Sequence, residues 1–230
     1  MKKLHVITLA ALIMLGLSGC EKAKVVNVAA GDVFIKAIKN DQGTTVYTAI
    51  HSVFSYNTIK SVSAKSPDGT SVSLINYQNI GNSFYNDPPV TAYTANIPTV
   101  GTYTYTVDFN DGEQILYTNT LSSATLQPAN ITSLAKNAAG DSIFISFDAI
   151  PDVNFYQIKV HKGDTQVFYA DNLSDSSSPK KANLRYPFGL NSLTSSISGT
   201  YTFEITGLLY ESTAYDYLQA ISTATRDIAL

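Results

Sequence analysis

Apolar and polar residues alternate along most of this chain with a period of two. Tyr103-Thr104-Tyr105-Thr106-Val107-Asp108-Phe109 is the clearest run. Such alternation places successive side chains on opposite faces of a strand. Runs at 33–38, 45–54, 59–65, 71–77, 90–97 and 114–121 predict further strands in the first half, and 142–147, 155–160, 166–170, 201–209 and 215–223 predict them in the second. Turn residues punctuate the series. Asn40-Asp41-Gln42-Gly43, Ser66-Pro67-Asp68-Gly69 and Asn110-Asp111-Gly112 each supply side chains that bond their own backbone and a glycine free to take positive φ. The paired Leu208-Leu209 breaks strict alternation and predicts a bulge. Short strands at regular spacing, with almost no helical period, predict an all-β sandwich architecture.

The pattern repeats. Gly101-Thr102-Tyr103-Thr104-Tyr105-Thr106-Val107 returns as Gly199-Thr200-Tyr201-Thr202-Phe203-Glu204-Ile205, about 100 residues later. A stretch at 123–130, with Pro128, reads as a linker. These runs resemble the start of strand F in immunoglobulin-like domains, where a tyrosine hydroxyl bonds back to nearby backbone. The resemblance implies that role for Tyr103 and Tyr201. Residues 145–160 are similar to strands B and C of a fibronectin type III domain. Pro151 and Tyr156 fit, and Phe147 stands where that family usually has Trp. The expectation is two tandem sandwiches, a loosely immunoglobulin-like one over 32–122 and a fibronectin type III-like one over 131–230. Modules of these kinds mostly bind, space or adhere.

The N-terminus changes the setting. Lys2-Lys3 precede an apolar stretch over 4–17, too short for a spanning helix of roughly 20 residues. Leu17-Ser18-Gly19-Cys20 resembles a bacterial lipobox, which implies a signal peptide over 1–19, acyl chains on Cys20, and a tether over 20–31. Cys20 is the only cysteine, so no intrachain disulfide is available. Several acyl chains hold firmly where one gives only marginal anchoring. Glu21, where enterobacterial inner-membrane lipoproteins commonly carry Asp, points toward the outer membrane. The expected location is the bacterial cell envelope, periplasmic or surface-facing.

Composition removes other readings. The formal net charge is −3 and charged residues make up 14%, against about 25% in typical soluble proteins. No basic cluster suits phosphate backbones, so nucleic acid is not an expected partner. Lys180, Lys181 and Arg185 read as a solvated loop. His51 and His161 form no metal spacing and read as core or surface residues. Asp108, Asp111 and Glu113 gather at one hairpin whose Asp-Gly pair suits the turn itself. Asp171 and Asp175 lack the spaced acidic run of a calcium loop. No Ser stands in a nucleophile-elbow motif and no phosphate-binding glycine loop occurs. No metal or cofactor is expected.

The functional expectation is a non-catalytic, membrane-anchored binding, adhesion or spacer module for a protein or glycan partner. The alternative is an accessory hydrolase or glycan-metabolism lipoprotein with a cryptic carboxylate site. Trp is absent, which counts against the usual carbohydrate platform, although Tyr can also stack. Two aromatic loops are candidate binding surfaces: 79–89, with Phe84 and Tyr85, and the long stretch 171–198, with Arg185, Tyr186 and Phe188. A second reading stands beside this one, in which those aromatics pack under their own loops or 182–190 forms another strand.

Overall fold

The computed structural model describes residues 26–136, 138, 142–173, 180–185, 198–214 and 216–229. The signal segment, Cys20, Asp175, Tyr186 and Phe188 lie outside the described residues. What is described is nearly all strand. The first half contains β1 (Ala29–Lys39), β2 (Thr45–Ser55), β3 (Ile59–Lys65), β4 (Ser71–Asn76), β5 (Ser83–Asn86), β6 (Gly101–Phe109) and β7 (Gln114–Leu121). The second contains β8 (Ile131–Lys136), β9 (Ser142–Phe147), β10 (Phe155–Lys162), β11 (Thr165–Leu173), β12 (Lys180–Arg185), β13 (Thr200–Tyr210) and β14 (Leu218–Ala229).

Both halves follow one strand order. In the first, β1-β2-β5 and β4-β3-β6-β7 are hydrogen-bonded neighbours; in the second, β8-β9-β12 and β11-β10-β13-β14 are. Each half thus pairs its first, second and fifth strands, and separately its fourth, third, sixth and seventh. Each half also encloses its own apolar cluster. Ile35, Val53, Tyr105, Val107, Phe109 and Leu121 belong to one, and Ile143, Ile145, Phe147, Ile158, Phe203 and Ile205 to the other. The alternation seen in sequence sets these positions: in β6, residues 103, 105, 107 and 109 are buried and 102, 104, 106 and 108 are not.

The halves are joined by backbone. β1 pairs in parallel with β14, from Ile35↔Ala220 to Ile38↔Thr223. The β4–β5 ladder is a short corner of two residue pairs. Eleven strands are therefore continuous, with β8-β9-β12 forming a separate sheet. Register partners share a face. Ile35 belongs to the first core and Ala220 to the second, so both cores lie on the same side of the joined sheet.

The repeated glycine run has a structural basis. Gly101 and Gly199 both take positive φ, 126° and 97°, where a side chain would be strained. Tyr103 then donates from its hydroxyl to the Thr99 carbonyl at 2.9 Å, the back-bond expected of it. Tyr201 differs. Its hydroxyl is buried with no hydrogen-bond partner among the described residues, and its ring instead faces Lys162 Nζ at 5.3 Å. Phe147 packs against Tyr156 with ring centroids 5.2 Å apart, and the Tyr156 hydroxyl accepts the Ile150 N–H at 2.9 Å. The expected bulge appears as a register shift between Leu209 and Tyr210.

Four expectations are corrected. The run 90–97 is no strand: Val90–Ala92 form a 3-10 turn, and Tyr47↔Thr94 is an isolated bridge. Pro88, Pro89 and Pro98 remove donors that a ladder needs. The loop 79–89 contains β5, and the stretch around Lys180, Lys181 and Arg185 is β12, paired with β9, rather than a solvated loop. The fold begins before residue 32. Asn27 is buried; its amide donates to Asp111 and Glu113 at 2.8 and 3.0 Å, and β1 starts at Ala29.

Candidate binding cleft

β1 ends at Lys39, but its parallel partner β14 runs on to Ala229. The space beyond the shorter strand is enclosed by the turn after β1, by the segment between the halves, and by the far end of β14. The result is a cleft of about 780 Å³, lined by Lys36, Lys39, Asp41, Tyr93, Asn130 and Arg226 among others. Ligand sites commonly measure a few hundred to a thousand Å³ and favour such joints. Its lining mixes cations, amides and apolar groups, with Ile38, Val90 and Ile131 also exposed to it.

One wall is fixed by a carboxylate. Asp87 pairs with Lys36 Nζ, accepts from the Tyr85 hydroxyl at 3.0 Å through Oδ2, and accepts from the Tyr93 hydroxyl at 2.8 Å through Oδ1. Burial, and then the Asp87 charge and hydrogen bond, push both phenols above their usual range, so each stays a protonated donor. Three donors on one carboxylate hold Lys36 and Tyr93 in place at the cleft. Across the cleft, Arg226 donates to the Ile131 carbonyl at 2.8 Å, which pins β14 to the first strand of the second half. Lys39 has no ion-pair or hydrogen-bond partner among the described residues and is exposed at the mouth.

The predicted site residues are dispersed. Tyr85 stands behind the cleft wall, two hydrogen bonds from Lys36 through the shared Asp87 carboxylate. Phe84 points the other way and packs in the first core, 5% exposed, because neighbouring strand residues face opposite sides. Arg185 ends β12 in the second half, and β5 and β12 share no ladder. Lys36, Lys39, Tyr93 and Arg226 were not anticipated. They come from three distant stretches of the chain, and the β1–β14 pairing brings Arg226 beside Lys36 and Lys39.

The titratable candidates occupy structural positions. His51 is buried, shares a 2.8 Å hydrogen bond with the Tyr105 hydroxyl, and is pushed down to about 4 by burial. Asp108 accepts from Ser61 and Gln114, and these bonds hold its carboxyl below the usual range. Asp111 and Glu113 share the Asn27 amide. Asp171 accepts from the Tyr169 hydroxyl at 3.3 Å. Among the described residues no three His, Cys, Asp or Glu side chains converge on a point.

No protein-family model and no curated relative matches the chain. Solved structures similar to it include a cytokine receptor complex, at 11% identity over 86% of this chain and 96% of that one, with a TM-score of 0.31. A tetra-tandem repeat from the extending region of a large adhesion protein is similar at 14% identity over 87% of this chain and 50% of that one, TM-score 0.27. The FN1-FN3 domains of chicken CNTN1 are similar at 14% identity over 88% of this chain and 64% of that one, TM-score 0.28.

Proposed function

We propose that the mature chain is a non-catalytic binding module of the bacterial envelope, held by acyl chains on Cys20 in the outer membrane and taking a protein or glycan partner in the cleft between its halves. The observation that supports this reading is the cleft itself. It is built on backbone ladders, Lys36 is fixed by Asp87 and Arg226 by the Ile131 carbonyl, and it opens at the end of β1 away from the tether. Lys39 and Val90 stand free at the mouth, available to an incoming surface. A hydroxyl-rich glycan or a polar peptide loop meets the donors it needs, and Ile38, Val90 and Ile131 supply apolar contact.

Two measurements test it. A photo-reactive residue at position 90, in the lipidated protein within cells, should cross-link to a defined envelope or surface protein; a panel of soluble neutral and acidic polysaccharides tests the glycan arm. Whichever ligand binds, Lys39→Glu should weaken it about tenfold, near 1.4 kcal/mol, with no change in Tm. A ligand whose affinity is indifferent to Lys39→Glu and Val90→Asp binds elsewhere, and the cleft reading is then lost.

A further inference from the structure

The opposite end of the first half is exposed and largely apolar. Tyr56 is 85% exposed, Val26 72%, Ile80 57%, Val28 54% and Tyr77 45%. Isolated exposed apolar residues need no explanation, but a contiguous group does. These residues are contiguous. Ser55 donates from Oγ to the Val28 carbonyl at 2.6 Å, and Asn57 donates to the Val26 carbonyl at 3.2 Å. The Ser55 N–H bonds the Asn82 carbonyl, and the Ile59 N–H bonds the Gly81 carbonyl, which draws the 77–82 turn beside them. Tyr56 meets Phe54 edge to face at 5.3 Å, and Tyr77 meets Tyr85 at 6.0 Å. The turn that carries Tyr77 and Ile80 holds Gln78 and Asn79 at φ of 50° and 59°, a conformation costly outside glycine.

Charge is missing from the segments that build this end. Residues 69–86 contain no charged side chain, and 42–59 contain only His51, which is buried; exposed Lys60 follows directly. Asp111 and Glu113 stand at the rim, both held by Asn27. The place in the chain identifies the occupant. Val26 follows Cys20 by six residues, which span at most about 20 Å even when fully extended. A protein acylated on Cys20 therefore keeps this end within reach of the headgroups. Tyrosine, with an apolar ring and a polar tip, is suited to that boundary. Lys22 and Lys24 in the intervening segment suit lipid phosphates.

We propose that this end, with Tyr56, Ile80, Val26, Val28 and Tyr77, docks on the bilayer that holds the acyl chains. The inference rests on the lipid-anchor reading of Cys20. Docking gives the anchored protein a fixed stance, with strands standing off the membrane. Lys39, at the mouth of the cleft, then lies roughly 30 Å further out than Ala29, ten residue rises along β1.

The test uses the lone cysteine. Once Cys20 is acylated, a Cys added elsewhere is the only free thiol. Thr58→Cys places a fluorophore at the proposed contact, and Gln42→Cys places one at the far turn. In vesicles of brominated phosphatidylcholine, fluorescence should be lost at position 58 and kept at position 42. Adding Tyr56→Ser and Ile80→Ser to Thr58→Cys should restore it, with the acylated mass unchanged. An acylated protein with no quenching at 58 overturns docking and leaves the anchor intact. Quenching that survives Tyr56→Ser/Ile80→Ser shows that the short tether alone brings the surfaces together, and overturns the role given to the side chains. A soluble polysaccharide or protein that relieves quenching at 58 by covering the patch makes it a partner site instead. A mature mass without acyl chains removes the anchor reading and this inference together.

Discussion

His51 carries a cost that depends on pH. Unfolded histidine titrates near 6.5, whereas burial takes the folded side chain down to about 4. Between those values the unfolded chain binds a proton that the native protein does not, so stability falls as pH drops from about 6.5 toward 4. The full effect is on the order of 3 kcal/mol. Asp32 acts in the opposite sense at the acid end. Burial raises its carboxyl, so its protonation favours the folded state as pH falls through the raised value. Urea melts at pH 7 and pH 4.5 should show the net loss, and His51→Gln should flatten it; an unchanged slope in that variant would place the proton elsewhere. At this scale much was legible. The expectation that a tyrosine after Gly101 forms a back-bonded corner holds for Tyr103, while His51, which sequence left as core or surface, is buried. The matching expectation for Tyr201 is not met: its buried hydroxyl has no hydrogen-bond partner among the described residues, and position 197, which corresponds to Thr99, lies outside them.

Between elements, β1 and β7 approach closely at Gly31. A Cβ built on Gly31 would fall 1.7 Å from the Tyr117 hydroxyl and 2.6 Å from the Ser52 carbonyl oxygen. Tyr117 stacks on Tyr105, with centroids 4.7 Å apart, and its buried hydroxyl has no partner among the described residues. Tyr117→Phe should therefore leave stability unchanged or slightly raised, since an unsatisfied buried polar group is removed. Gly31→Ala should lower it by about 1–3 kcal/mol, the usual cost of overpacking. Tyr117→Phe should rescue that loss only in part, because the Ser52 backbone cannot retreat as a side chain can. Thermal melts of the three variants decide it, and complete rescue would mean that the strands shift apart. The elements that sequence concealed have a common reason. β8 (Ile131–Lys136) and β12 (Lys180–Arg185) each carry only one or two large apolar residues, and β5 is four residues long inside an Asn-rich stretch. Their strand character comes from ladder partners rather than from alternation of their own.

For the whole molecule, the deciding feature is the β1–β14 ladder. Nothing local announces it, since Ile35 and Ala220 are remote in the chain and each sits in an ordinary strand. Each half owns a core, yet separation bares an edge on each. Exposed edges seek partners. Fragments 26–122 and 123–230 should each unfold cooperatively and should combine one to one when mixed, as seen by size exclusion with light scattering. Two fragments that fold but ignore each other would show the ladder to be incidental; two that fail to fold would show the cores to be interdependent. The first must start at 26 because Asn27 is a buried part of it. The same ladder sets how the protein responds to force. A pull on the N-terminus enters at Ala29 and runs along β1, which is bonded to β2 on one edge and to β14 on the other. Both rows of hydrogen bonds are loaded in shear, many at once, instead of unzipping singly. Tension passes sideways into the second half through β14. With the anchor proposed at Cys20, the chain would yield last where it is gripped.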